Sequence, residues 1–323
     1  MLKIGSVSLS SPLVLAPMAG ISDLPMRRLC RSLGASLCYS EMVSAKALHY
    51  RDQKTRKLLQ SAEDDAPLAI QIFGHEPEIM AEGARLALEI SNADIVDINM
   101  GCPVNKVVKS GDGAALMTTP ALAAEIVRAV KAEVSVPVTV KIRMGWDKGS
   151  INGTEFALLC EEAGADAVAI HARTRTQMYR GLANRDFIKE LKKHLSVPLI
   201  ANGDIFTHED ALNMQKHTGA DFLMIGRGVL GDPWIFERCL ALLEGRTPPP
   251  EPSVPEKLET AFELVLERAE LKGERIACIE ARGDLSRYLR GAYNASEYKR
   301  RFCSVSSIDE IRREIDRVIW DMR

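Results

Sequence analysis

The chain has 323 residues, 46% of them hydrophobic, 27% charged and only 5% aromatic. A chain this long buries a sizeable core, and its Leu-, Ile-, Val- and Ala-rich make-up excludes a disordered tail, a collagen repeat or a small disulfide scaffold. The net charge is −2, so no global field marks a partner.

No apolar run approaches the ~20 residues of a membrane helix. Seven cysteines without a short paired motif point to a reduced, cytoplasmic setting rather than a disulfide framework or a zinc ribbon. Strands are predicted at Leu13–Ala16, Leu37–Ser40, Leu68–Phe73, Ile95–Asn99, Val138–Ile142, Ala167–His171, Leu199–Ala201 and Phe222–Ile225. Each is mostly apolar and bounded by Gly, Pro, Asn or Asp, as strands buried on both faces of a parallel sheet are. The segments between them, 23–33, 44–60, 76–90, 119–132, 154–163, 186–194, 208–217 and 232–243, read as helices. Eight alternations in about 240 residues fit an α/β fold, the (β/α)8 TIM barrel, with a doubly wound open sheet as the alternative. Gly34-Ala35, Gly164-Ala165-Asp166 and Gly219-Ala220-Asp221 each place a helix-ending glycine before a strand, which favours closure.

The barrel is expected to fill residues 1–245. The run Pro248-Pro249-Pro250-Glu251-Pro252-Ser253-Val254-Pro255 cannot hold a helix, so 246–255 reads as a stiff linker. Beyond it Glu256–Lys272, Ile276–Leu289, Ala295–Phe302 and Ile308–Met322 have helical patterns, giving an all-helical domain over 256–323. Between Arg282 and Arg301 this domain carries a local charge of +4.

Active sites of such barrels lie at the C-terminal strand ends, and polar or reactive residues gather there: Gln71, Asn99 and Cys102, Lys141 and Arg143, His171 and Arg173, Asn202-Gly203-Asp204, and Gly226-Arg227-Gly228. Gly226 to Gly231 fits GxGxxG. Alone it could be a dinucleotide fingerprint, but in the eighth unit it reads as a phosphate site, with backbone N–H groups, a helix start and the Arg227 fork as donors. Lys141 ends an apolar run and faces either a bound anion or electron sink, or acts as a Schiff-base amine. Cys102, in a Gly-Cys-Pro turn, is protonated at neutral pH and can donate a proton. No second His or carboxylate stands at metal spacing, so no metal is expected.

These residues resemble the flavin-dependent tRNA-dihydrouridine synthases, most closely their bacterial B-type branch. The resemblance rests on Ala16-Pro17-Met18-Ala19-Gly20, Ser40-Glu41-Met42, Gln71-Ile72-Phe73-Gly74, Asp97-Ile98-Asn99-Met100-Gly101-Cys102-Pro103 and Gly111-Asp112-Gly113. It continues through Lys141-Ile142-Arg143-Met144-Gly145-Trp146, His171-Ala172-Arg173-Thr174-Arg175, Asn202-Gly203-Asp204-Ile205 and Ile225-Gly226-Arg227. In the C-terminal part it is carried by Tyr288-Leu289-Arg290-Gly291 alone, and Gly283 and Asp284 stand where a basic residue and a His would be expected.

The resemblance implies a cytoplasmic enzyme, expected to be a monomer, that binds FMN and uses NADPH to reduce uridine in tRNA to 5,6-dihydrouridine. It assigns Ala16, Pro17, Met18, Gln71, Lys141, His171, Asn202, Gly203, Asp204, Gly226 and Arg227 to the FMN. Cys102 becomes the general acid and Asn99 the holder of the uracil. Arg143, Arg173, Arg175 and Arg290 become contacts to the RNA, with Lys106, Lys109, Arg282 and Lys299 to Arg301 as further candidates. Three other readings stand beside it: a flavin-barrel reductase of a free pyrimidine, a Schiff-base aldolase using Lys141, and a non-catalytic RNA-binding barrel.

Overall fold

The computed structural model describes residues 2–322. Eight parallel strands run around its centre: β1 (Leu13–Leu15), β2 (Leu37–Tyr39), β3 (Leu68–Phe73), β4 (Ile95–Met100), β5 (Val138–Gly145), β6 (Ala167–Thr174), β7 (Leu199–Asn202) and β8 (Phe222–Ile225). β8 pairs with β1, matching Leu223 to Leu13, and β2 pairs on both sides, Val14 with Leu37 and Cys38 with Leu68. The ring is therefore closed, which excludes the open sheet.

Successive side chains of a strand point to opposite faces. Here one set, including Val96, Ile98, Val140, Ile142, Val168 and Ile170, packs outward into the core shared with the helices. The other set points inward. Its lower storey is apolar, built from Val14, Leu37, Ile95, Ala167, Ile200 and Phe222. An N-terminal hairpin, Lys3–Ile4 paired with Val7–Ser8, adds Ile4 and Leu9 to this cluster at the N-terminal end of the barrel. The upper storey is polar: Gln71, Asp97, Asn99, Thr139, Arg143, His171 and Arg173 are all buried.

The helices fall where the periodicity places them, with three instructive differences. The segment 44–60 is two short helices, Ala45–His49 and Gln53–Lys57, because Arg51 takes φ +57° and Asp52 caps the second through Thr55 N–H at 2.7 Å. β5 and β6 run on to Gly145 and Thr174, farther than their apolar stretches, since their ends face a polar interior. The linker stops at Ser253: Ser253 and Glu256 form a capping box, and Pro255 sits in the first turn of Val254–Lys272, where its missing N–H costs nothing.

The remaining helices, Glu274–Tyr288, Ala295–Phe302 and Ile308–Asp321, complete a bundle against the barrel. Buried Arg268 makes the joint. Its Nε donates to Asp23 at 2.8 Å and its Nη1 to Asp284 at 2.7 Å, while Lys272 donates to Asp23 at 2.9 Å and to Glu280 at 3.0 Å. Asp23 also caps the first barrel helix, Leu24–Ser32. Burial works against its charge, but Arg268 and Lys272 hold its carboxyl below the ordinary range.

Candidate active site

The C-terminal strand ends enclose a cavity of about 430 Å³. All eleven residues from Ala16 to Arg227 that the resemblance assigns to a cofactor line it, together with Asn99, Cys102 and Arg143. Met42, from the Ser40-Glu41-Met42 phrase, also lines it, as do Tyr179, Phe206 and Met224, which were not singled out from the sequence. Tyr179 and Phe206 belong to loops without a periodic pattern, and only their aromatic character in a chain poor in aromatics could have drawn notice.

The β1 loop is pinned from two sides: Met18 N–H donates to Ser22 Oγ at 2.9 Å and Gly20 N–H to Glu41 at 2.5 Å. After β4, Asn99 Oδ1 accepts from Gly101 N–H at 3.1 Å and from Cys102 N–H at 2.8 Å, closing the turn that presents the thiol. Gly113 (φ +60°) packs against this turn; a Cβ there would come within 2.9 Å of the Cys102 carbonyl oxygen. Cys102 is half-buried, and burial raises its pKa, so it remains a thiol at neutral pH.

Lys141 donates to Asn202 Oδ1 at 3.2 Å and makes no other hydrogen bond among the described residues. Burial, helped by the neighbouring Arg143 charge, pushes its pKa down to about 8. Burial and then the surrounding cations Lys141, Arg143, Arg173 and Arg227 hold His171 well below its ordinary value, so its imidazole is neutral. Its Nε2 lies 3.1 Å from Arg173 Nη1 and accepts from it, which leaves the proton on Nδ1. Arg227 is half exposed. It pairs with Asp204 at 3.2 Å, and its guanidinium lies 4.9 Å from the Tyr179 ring and 5.3 Å from Phe206.

Three expectations change. Arg173 is no contact to RNA: it is 1% exposed, and its nitrogens are taken by Arg180 O, His171, Gly181 O and Asp204. Arg143 is also buried, with Nε on Gly101 O and Nη1 on Thr174 O and Met178 O. It lines the cavity but cannot reach a phosphate chain outside. GxGxxG, finally, is not one phosphate loop leading into a helix. Arg227–Val229 is a single 3-10 turn and the α-helix begins only at Ile235. Gly231 (φ +75°) lies against the bundle, where a Cβ would meet the Arg287 carbonyl oxygen at 2.5 Å. The third glycine thus serves the joint between barrel and bundle.

Arg175 stacks on Trp146 at 4.9 Å and donates to Asn105 at the rim. In the bundle, Arg287 pairs with Asp284, Arg282 donates to Val305 O and Arg301 pairs with Glu314. Asp284 is thereby tied to the joint. Arg290, Lys299 and Arg300 are exposed. Among the described residues no three His, Cys, Asp or Glu side chains cluster as metal ligands would, and no helix is long and apolar enough to cross a membrane.

An under-partnered cation, a neutral imidazole and an arginine thus share one barrel-mouth cavity with apolar and aromatic walls and a thiol at its edge. The family model described as "Dihydrouridine synthase (Dus)" matches residues 14–320. The chain belongs to the dihydrouridine synthase family. It is 40% identical over 309 residues to tRNA-dihydrouridine synthase B of Pasteurella multocida (strain Pm70), covering 96% of this chain and 93% of that protein. It is also 40% identical over 322 residues to the probable tRNA-dihydrouridine synthase 1 of Synechocystis sp., covering 98% and 89%. A solved structure of a 2-naphthoyl-CoA reductase complex superposes with a TM-score of 0.58 at 12% identity, over 76% of this chain and 51% of that one, a likeness of fold alone.

Proposed function

We propose that this enzyme reduces uridine in tRNA to 5,6-dihydrouridine, with FMN as its bound group and NADPH as the reductant. The observation that carries the reading is the meeting of Cys102, Lys141 and Arg227 in one cavity, in a chain whose relatives are named for this reaction. The residues present fit FMN. Lys141 has N–H groups to spare for the electron-rich edge of the ring, Pro17 and Met18 offer an apolar ledge, and Gly226 and Arg227 would hold the phosphate.

Bound FMN supplies the hydride that adds at C6 of the uracil. Cys102 delivers the proton: its S–H bond breaks as a C–H bond forms at C5, and the thiolate regains a proton from solvent. The raised thiol pKa keeps that proton in place until negative charge gathers on the base. Asn99 and the Nη2 of Arg143, which has no protein partner among the described residues, would hold the uracil in position.

The base is stacked in folded RNA, so it must leave the stack to enter the cavity. Exposed Arg290, Lys299 and Arg300 on the bundle, with Lys106 and Lys109 beside the catalytic turn, offer phosphate contacts that a free-pyrimidine reductase does not need. Family membership leaves the aldolase and non-catalytic readings without support. Seven unpaired cysteines suit a reducing, cytoplasmic setting.

Incubating the protein with FMN, NADPH and unmodified tRNA should yield dihydrouridine by nucleoside mass spectrometry. Cys102→Ala should retain flavin and its reduction by NADPH but lose 10²–10⁴-fold in product formation. Unchanged turnover in that variant would assign the proton to another group.

A further inference from the structure

One charged residue in the barrel interior has no part in the chemistry described so far. Asp97 is fully buried on β4, in the polar storey behind the cavity-lining Gln71. Its Oδ2 accepts from Gln71 Nε2 at 2.6 Å and its Oδ1 from Thr139 Oγ1 at 2.6 Å. Gln71 Oε1 in turn accepts from Asn99 Nδ2 at 2.8 Å. Asn99 Oδ1 then accepts from the N–H groups of Gly101 and Cys102. A continuous chain of hydrogen bonds thus joins Thr139, Asp97, Gln71, Asn99 and the turn that carries the thiol.

The direction of this chain is fixed at both ends. Two backbone N–H groups are obligatory donors, so Asn99 must offer them its oxygen and turn its NH2 away. Gln71 must meet that NH2 with its own oxygen, which turns the Gln71 NH2 down towards β4. A buried group that only accepts must then stand below it, and a carboxylate is such a group. An amide reversed at either link would set donor against donor among buried side chains, where an unmet polar group is costly.

We infer that Asp97 is a positioning residue: it anchors the Gln71–Asn99 amide relay and so holds the Cys102 turn in the shape that presents the thiol. Burial pushes the Asp97 pKa up to about 7, against the hydrogen bonds from Gln71 and Thr139 and the Lys141 charge, which pull it down. The relay demands an acceptor at this place rather than a negative charge. Either protonation state can supply one, because a neutral acid keeps an oxygen free to accept.

The inference rests on Cys102 as the proton donor, and its test separates the two. Asp97→Asn keeps an oxygen for Gln71, whereas Asp97→Leu keeps the branching at Cγ but removes the acceptor. In Asp97→Leu, amide hydrogen exchange at Gly101 and Cys102, read by peptide mass spectrometry, should lose at least tenfold in protection. Its kcat should fall about 10²-fold, as a displaced catalytic group does, with KM for tRNA unchanged. Asp97→Asn should restore both.

Wild-type exchange and kcat in folded Asp97→Leu would overturn the inference. Equal losses in Asp97→Asn would overturn it too, by showing that charge and not acceptance matters. If Asp97→Leu does not fold, Gln71→Met cuts the relay at its middle, and retained protection at 101–102 in that variant overturns the inference. Exchange needs no turnover, so a wrong assignment of the proton donor would leave this readout intact.

Discussion

At the joint between barrel and bundle, Arg268 is met by Asp23 and Asp284, and Lys272 by Asp23 and Glu280. In the barrel mouth, Lys141 has one amide oxygen, and the neighbouring Arg143 pushes its charge further from comfort. Both regions bury ionic groups, yet at the joint each cation touches carboxylates, whereas Lys141 in the mouth touches none. Opposite charges in contact outweigh the loss of hydration at the joint, so Arg268 and Asp23 are both held in their charged forms. In the mouth, burial wins: Lys141 and Asp97 are pushed towards neutrality from opposite sides, to about 8 and about 7. The comparison teaches that one set of charges fixes two bodies together, while the other is left incomplete for a ligand to finish.

Breaking the joint should have the largest effect. Arg268→Met leaves Asp23 and Asp284 buried without their main partner, and should lose about 3–5 kcal/mol in urea unfolding. A loss below about 1 kcal/mol would place the joint's strength in apolar packing instead.

The mouth should reveal itself through pH. The folded protein keeps His171 neutral, whereas the unfolded chain protonates it near 6.5. As pH falls below that value the unfolded state takes up a proton that the native state refuses. The His171 contribution to stability therefore falls by up to about 1.4 kcal/mol per pH unit. Comparing unfolding of the wild type and His171→Gln at pH 7 and pH 5 should show this slope in the difference between the two proteins, because Asp97, pushed up to about 7, acts in the opposite sense in both.

Lys141→Met should have the smallest effect on stability and sharpen the contrast most. Without flavin it should change unfolding free energy by no more than about 1 kcal/mol, since a poorly compensated cation is exchanged for an apolar chain of similar length. Its flavin affinity, read by fluorescence titration, should nonetheless drop. Destabilisation matching that of Arg268→Met would erase the distinction between the two regions.

The barrel was legible because its strands are buried on both faces, which makes them short continuous apolar runs such as Leu68–Phe73 and Phe222–Ile225. Polar residues at the ends of such runs stood out as exceptions, and Lys141, His171 and Asn202 do line one cavity. Other features left little trace. A hairpin of two-residue strands is too short for any periodicity. Arg173 looks like a surface arginine in sequence, because nothing local tells that Asp204, 31 residues on, will neutralise it. Asp97 drew no notice of its own within the β4 stretch, because its role depends on two amides contributed by side chains on β3 and β4. The basic run of the bundle divides between internal pairs and exposed residues only once the helices pack.

The N-terminal hairpin has a consequence for the barrel floor. With Ile4 and Leu9 gathered against Val14, Leu37 and Ile95, hydrocarbon closes the end opposite the polar storey, so a carboxylate or ammonium placed at Ile4 would be stranded there without a counter-charge.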